Sequence, residues 1–389
     1  MRKLLSFPVQ LTLSETENTL YQNALKYVAD IALNLMAVKV DNRPEDFLGW
    51  CSELNHLCRH GINMELLDDH QHKPLKKLQE TLQTGISLSQ LKMLKIAPWP
   101  IFSAFIGQHA KTQCLDERLK LVSYIARIRE TPLAEMIEED RLAFAGKHTS
   151  KHDTGIYPFD VEWFATTKGA KDFHLLLQSQ PEKFDLALSH IPLSGEVTSA
   201  HYQAFVNAYQ DIFNSQGQGE SAPLMPATRL LAMRRPDQFV ALTNANADII
   251  CRGLGLAKLA KNDFDAYWHE VITSIRSFAW WHQEMPSDEH ELLLWQSRAL
   301  LIELFLYADE TLKTKSNYLK LINRKTGSGR TAARQVKRSK ASAEELVDKA
   351  LAEDGIPDYI LGKRDSIVHQ VKEGKSVEQV IGLMRAIFG

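Results

Sequence analysis

Apolar residues in this chain return every three or four positions and do not alternate with polar ones for more than about five residues, so helices must build the fold. Ser14 followed by Glu17 forms a capping box, and Leu20, Leu25, Val28, Ile31, Ala32 and Leu35 recur behind it at helical spacing. Pro44 suits a first helical turn. Phe47, Leu48, Cys51, Leu54 and Cys58 then form one stripe that Gly61 stops. Further helical patterns run through 75–82, 88–94, 101–108 and 115–128, with Pro98 and Pro100 forcing a break around Trp99. The same period returns over 170–177, 201–213, 227–233, 247–252, 264–281 and 288 to about 322.

A chain of 389 residues exceeds one ordinary domain. Residues 146–158 are polar, rich in histidine and interrupted by glycine and proline, which predicts a boundary between an N-terminal helical domain, 1–148, and a second one, 156–312. A basic linker, 313–343, and a small three-helix unit, 344–389, complete a mainly α, multi-domain protein. Ser342 with Glu345 and Ser376 with Gln379 are the capping boxes of that last unit. Ser215 to Pro223 reads as a long loop inside the second domain.

Charge is distributed unevenly. Thr311 to Ala343 holds Lys313, Lys315, Lys320, Arg324, Lys325, Arg330, Arg334, Lys337, Arg338 and Lys340 without one Asp or Glu, while the whole chain is −2. Such a run repels itself, stays extended and seeks a polyanion, releasing counterions as it neutralises phosphates. Helix ends account for some of it, so the flexible portion is expected at about 326–341, around a Gly-Ser-Gly core. Tyr318 is the one aromatic residue in the run, which argues for phosphate contact rather than base stacking. A solvated linker is the alternative reading.

Four scattered cysteines do not make a disulfide framework, no export signal is legible, and the most apolar stretch, 292–307, is interrupted by Gln296, Arg298 and Glu303. A cytoplasmic protein without a membrane segment is expected.

Several clusters could carry chemistry. His56 and His60 stand four apart on a helix, and His70 and His72 follow soon after, a possible metal set. Cys51 and Cys58 fall instead on the apolar stripe, as small hydrophobes. Lys325 to Thr331 is rich in small residues but lacks the P-loop pattern. Asp160, Glu162 and Lys168 have the residue types of a metal-dependent nuclease site, but the spacing to Lys168 does not fit one and the surroundings read as helical. Arg234 and Arg235 before Pro236 are expected to project from a turn, where they could meet phosphate or pair with Asp237. Asn246 to Gly253 has the outline of a helix-turn-helix corner. Trp268, Trp280, Trp281 and Trp295 fit one buried layer.

The run 226–240, then Asn244, Asn246, Leu254-Gly255, Tyr267-Trp268, Trp280-Trp281 and Trp295 to Leu301, resembles helical regions of prokaryotic McrBC-type restriction and related mobile defence proteins. The resemblance implies an anti-phage or anti-plasmid setting in which helical modules engage DNA or connect to a motor or nuclease. The chain lacks motor motifs and a recognisable nuclease core, so those activities would reside in a partner.

The leading expectation is a non-enzymatic subunit, without cofactor, that holds double-stranded DNA through the ten linker cations together with Arg234 and Arg235, and docks a partner protein or a second copy through 344–389. The alternatives are a metal-dependent enzyme using His56, His60, His70 and His72, and an assembly scaffold whose basic segment meets an acidic protein surface.

Overall fold

The computed structural model describes residues 13–31, 46–62, 64, 67–149, 152–214, 221–326, 343–352, 356–372, 377, 380, 381 and 384. They are helical or irregular, with no strand among them. The chain forms two compact units, Met1–Asn323 and Arg324–Gly389.

The first helix, Glu15–Asp30, opens as its sequence predicts: the Ser14 N–H donates to Glu17 Oε2 at 2.8 Å and the Glu17 N–H returns to Ser14 Oγ at 3.4 Å. The next helix, Phe47–His60, is capped by the Asp46 side chain, which accepts from the Gly49 N–H, and ends at Gly61. Residues 75–82 and 88–94 belong to one helix, Asp69–Ile96. The polar and small residues between the two patterns do not end it. Gly85 allows the Phe47–His60 helix to come close: a Cβ there would lie 2.7 Å from Cys51 Sγ and 3.3 Å from the Phe47 ring.

This long helix carries two cores. Leu75, Leu78, Leu82 and Ile86 pack with Tyr21, Val28, Trp50, Leu54 and Cys58. Leu91 and Leu94 belong to a second, larger core that extends to Phe305. That core includes Phe144, Ala145, Tyr157 and Phe159, on both sides of the expected boundary at 146–158. The polar composition there marks a surface loop, not the end of a domain. A fully buried side chain pins the loop, since Arg229 donates to the carbonyls of Ala143, Phe144, Val161, Trp163 and Phe164. Phe164 and Ala165 are held at φ 61° and 73°, in the left-handed region that costs a residue with a side chain energy.

The Ala247–Leu254 helix ends on Gly255 in the left-handed conformation and packs against Asp69–Ile96, where a Cβ on Gly253 would meet Leu91 at 2.5 Å. Its Ile250 and Cys251 are fully buried, so the corner expected there is part of the core. The pattern over 264–281 is a composite: Phe264–Ala266, a π-helical turn at Tyr267–Ile272, then Thr273–Arg276. Trp280 is buried behind it and donates Nε1–H to the Leu94 carbonyl at 3.0 Å. After Leu300–Phe305 the chain returns to the first core, with the Tyr307 N–H donating to Ser87 Oγ at 2.9 Å and Arg59 paired with Asp309 at 2.6 Å.

In the second unit, Ala343–Leu351, Asp358–Leu361 and Arg364–Lys372 surround Val347, Ile360 and Ile367, with Val380, Ile381 and Met384 in the same core. Arg364 grips Asp348 with two hydrogen bonds, at 2.5 and 2.7 Å. The capping residues Ser342 and Ser376 lie outside the described residues.

Candidate functional site

The basic segment starts in helix, in keeping with a helical period that runs to about 322 and with flexibility expected only from about 326, so the linker range 313–343 is helical in its first part. Thr311–Lys315 and Asn317–Thr326 are helices. Lys313, Lys315 and Lys320 are exposed; Lys313 pairs with Glu117 at 3.2 Å, and Lys320 Nζ donates to the Lys315 carbonyl at 3.0 Å. The Glu117 carboxylate holds the Lys313 pKa above its ordinary value. The side chains of Arg324 and Lys325, and all of Arg330, Arg334, Lys337, Arg338 and Lys340, lie outside the described residues.

The acidic pair Asp160 and Glu162 secures the start of the Asn317–Thr326 helix. Asp160 Oδ2 accepts the Asn317 N–H at 2.8 Å, and Glu162 Oε2 accepts from Asn317 Nδ2. His148 Nδ1 lies 2.8 Å from Glu162 Oε1, and Lys168 Nζ lies 3.9 Å from the same atom. Burial acts to raise the Glu162 pKa, but hydrogen bonding and charge from His148, with charge from Lys168, hold it below its ordinary range. The surroundings are irregular backbone, not helix, and it is this loop that brings the residues together. His148, Asp160 and Glu162 form the one metal-capable group found among the described residues, although their oxygens already serve Asn317 and His148.

The four histidines named as a metal set do not converge. The His56 and His60 rings lie 4.7 Å apart, tilted by 44°, on one exposed helix face, while His70 and His72 are exposed on the first turns of Asp69–Ile96. The structure corrects that ligand set: an i, i+4 pair places two rings together, but nothing folds the second pair onto them. Cys51 and Cys58 are core residues, and burial pushes the Cys58 thiol up to about 12.

Arg234 and Arg235 do not project as expected, although Arg235 does pair with Asp237, the alternative that the sequence offered. Pro236 does end the Leu224–Arg234 helix, but the turn is folded beneath 191–197 rather than projecting. Arg234 donates to the carbonyls of Ile191 and Arg129 at 3.2 and 3.1 Å. Arg235 is 4% exposed, donates to the carbonyls of Pro192 and Gly195 at 2.6 and 2.7 Å, and holds Asp237 with two bonds at 2.8 and 2.9 Å. Burial works to raise the Asp237 pKa, and the Arg235 bonds outweigh it, keeping the carboxyl low.

Arg235 is also one wall of a cleft of about 680 Å³ that sequence reasoning did not find. Arg129, Arg276 and Arg298 line it too, with Trp281 and Trp295. Arg276, just beyond the π-helical turn, donates to the Val197 carbonyl at 2.9 Å and to Gln238 Oε1 at 2.8 Å. Its guanidinium lies 4.8 Å from the Trp268 ring. Arg298 stands 4.5 Å from both the Trp281 and the Trp295 rings. Burial pushes the Arg276 and Arg298 pKa values down. Of the four tryptophans, Trp268, Trp280 and Trp295 are buried and Trp281 is half-buried at the cleft.

No described helix is long and apolar enough to cross a membrane. No protein family, curated protein or solved structure matches the chain.

Proposed function

We propose that this chain is a non-enzymatic nucleic-acid-binding subunit that holds duplex DNA by its phosphates, without reading sequence, and serves a motor or nuclease partner in a prokaryotic defence complex. The observation that carries this reading is the run of ten cations and no acid over 311–343 in a chain of net charge −2. Exposed Lys315 and Lys320 support it, Lys320 on a helix whose start, Asn317, is fastened by Asp160 and Glu162. Lys313, engaged with Glu117, contributes less, and the buried Arg235 is not part of the duplex surface.

Fluorescence anisotropy with a labelled duplex over a salt series tests the proposal. With five or six phosphates neutralised, log affinity should fall against log salt with a slope of about −5. Replacing Lys320, Arg330, Arg334, Lys337, Arg338 and Lys340 by Gln should flatten the slope and weaken binding. Unchanged affinity in that variant would overturn the reading. Co-purification from the native cell tests the partner, and recovery without any motor or nuclease would remove the defence-complex part.

A further inference from the structure

We infer that the arginine cleft of the first unit is a binding site for a terminal phosphate monoester carrying a flat ring, the chemistry of a nucleotide. It is independent of the basic segment.

Charge is the first argument. Four guanidinium groups line the cleft against two carboxylates, Glu196 and Asp237, leaving an excess of two positive charges. Like charges gathered in a partly water-excluded site oppose folding unless an anion joins them. A phosphomonoester, close to a dianion at neutral pH, matches that excess where a single carboxylate or a phosphodiester does not.

Unpartnered donors are the second. Ser297 is fully buried and Arg298 is 9% exposed, both line the cleft, and Ser297 Oγ and Arg298 Nε have no hydrogen-bond partner among the described residues. Arg129 Nε and Arg276 Nε are buried and have no partner among the described residues either. The one hydrogen bond of the Arg298 guanidinium runs from Nη1 to the Trp295 carbonyl at 3.0 Å. Buried donors are expected to be satisfied, and guanidinium matches phosphate oxygens in a planar, two-pronged geometry. The Trp281 and Trp295 rings hold Arg298 in place, so little ordering remains to oppose binding.

Size and wall chemistry define the rest of the ligand. About 680 Å³ falls within the range of small-molecule sites and far exceeds a bare phosphate. Met285, Leu293 and Trp281 supply the apolar side against which a ring can lie. The preceding π-helical turn at Tyr267–Ile272 is an irregularity often associated with functional sites. The source of the phosphate is either a free nucleotide or the 5′ end of a nucleic-acid strand.

Calorimetric titration of the full chain with AMP, adenosine and inorganic phosphate tests the site. AMP should bind at least about tenfold more tightly than either of the others, a difference of about 1.4 kcal/mol. Arg298→Gln should remove that advantage. Half-buried Arg129→Gln, which breaks no side-chain bond, should weaken AMP about tenfold with an unchanged melting temperature. Comparing 5′-phosphorylated with 5′-hydroxyl pentathymidylate, in the chain with the segment lysines and arginines neutralised, separates the sources: a phosphate-dependent gain identifies a strand end, and its absence identifies free nucleotide. AMP binding no tighter than adenosine or phosphate, or undisturbed in both arginine variants, would overturn the inference. Neither result depends on duplex binding through 311–343, so the two readings fail separately.

Discussion

Asn317 donates its backbone N–H to Asp160 Oδ2 at 2.8 Å across 157 positions of sequence. An unsatisfied amide at a helix start thus takes its acceptor from a distant loop, and the loop decides where the basic helix begins.

Removing that acceptor should loosen the helix locally. Asp160→Ala is expected to cost about 1–2 kcal/mol and to raise amide exchange over 317–321 while leaving the Asp69–Ile96 helix protected. Uniform exchange in variant and parent would show that the contact is dispensable.

Acid should act on the same junction through Glu162. Its folded pKa lies below the ordinary carboxyl value of 4.5, so its contribution is complete above that value and is lost as pH falls through the lower folded one. Exchange over 317–321, followed from pH 6 to about 3, should rise at the bottom of the range and do so earlier in Lys168→Gln.

His174 governs a second, milder acid window. Burial pushes its pKa down from 6.5 to about 4, and its ring sits 2.9 Å from Thr167 Oγ1. A base with a lowered folded pKa stabilises fully above the unfolded value, and stability drains away between pH 6.5 and 4. His174→Gln should remove on the order of 2 kcal/mol of the loss in urea-unfolding free energy between pH 7 and pH 4. Parallel pH curves for the two proteins would contradict this.

Arg229 is the costliest single truncation foreseen. Arg229→Met takes the guanidinium from five carbonyls, of which Ala143 keeps a donor in the Gly146 N–H, and about 3–5 kcal/mol of stability should go with the loss. Denaturant midpoints measure it. A loss below 1 kcal/mol would mean that water replaces the guanidinium at little cost.

Gly85→Ala should destabilise by about 1–3 kcal/mol, because the new methyl lies 2.7 Å from Cys51 Sγ, in a core where neither helix can retreat. Cys51→Ala in the same chain should recover part of it. Strict additivity of the two substitutions would show that they do not meet.

Local signals were legible in the sequence. Helical period, the Ser14–Glu17 box and the Gly61 stop each concern residues within a few positions of one another. The misreadings arose where distant chain segments decide. Gly85 and Ser87 look like a break until a second helix is laid against them, and Pro236 ends a helix without saying what covers the turn. The Asp160, Glu162 and Lys168 grouping was visible, but His148 and Asn317 come from elsewhere in the chain. Arg129, Arg276 and Arg298 had no legible relation at all. They belong to three separate elements, and only tertiary packing aligns them around one hollow.

The Asp69–Ile96 helix has a consequence for how this protein can be dissected. At 28 residues it is a girder about 42 Å long, sunk at one end among Tyr21 and Trp50 and at the other among Leu254 and Trp280. No cut within it yields two self-sufficient pieces, since each fragment would bare the stripe that the other half of the rod was hiding. Heat should therefore melt both ends in a single step.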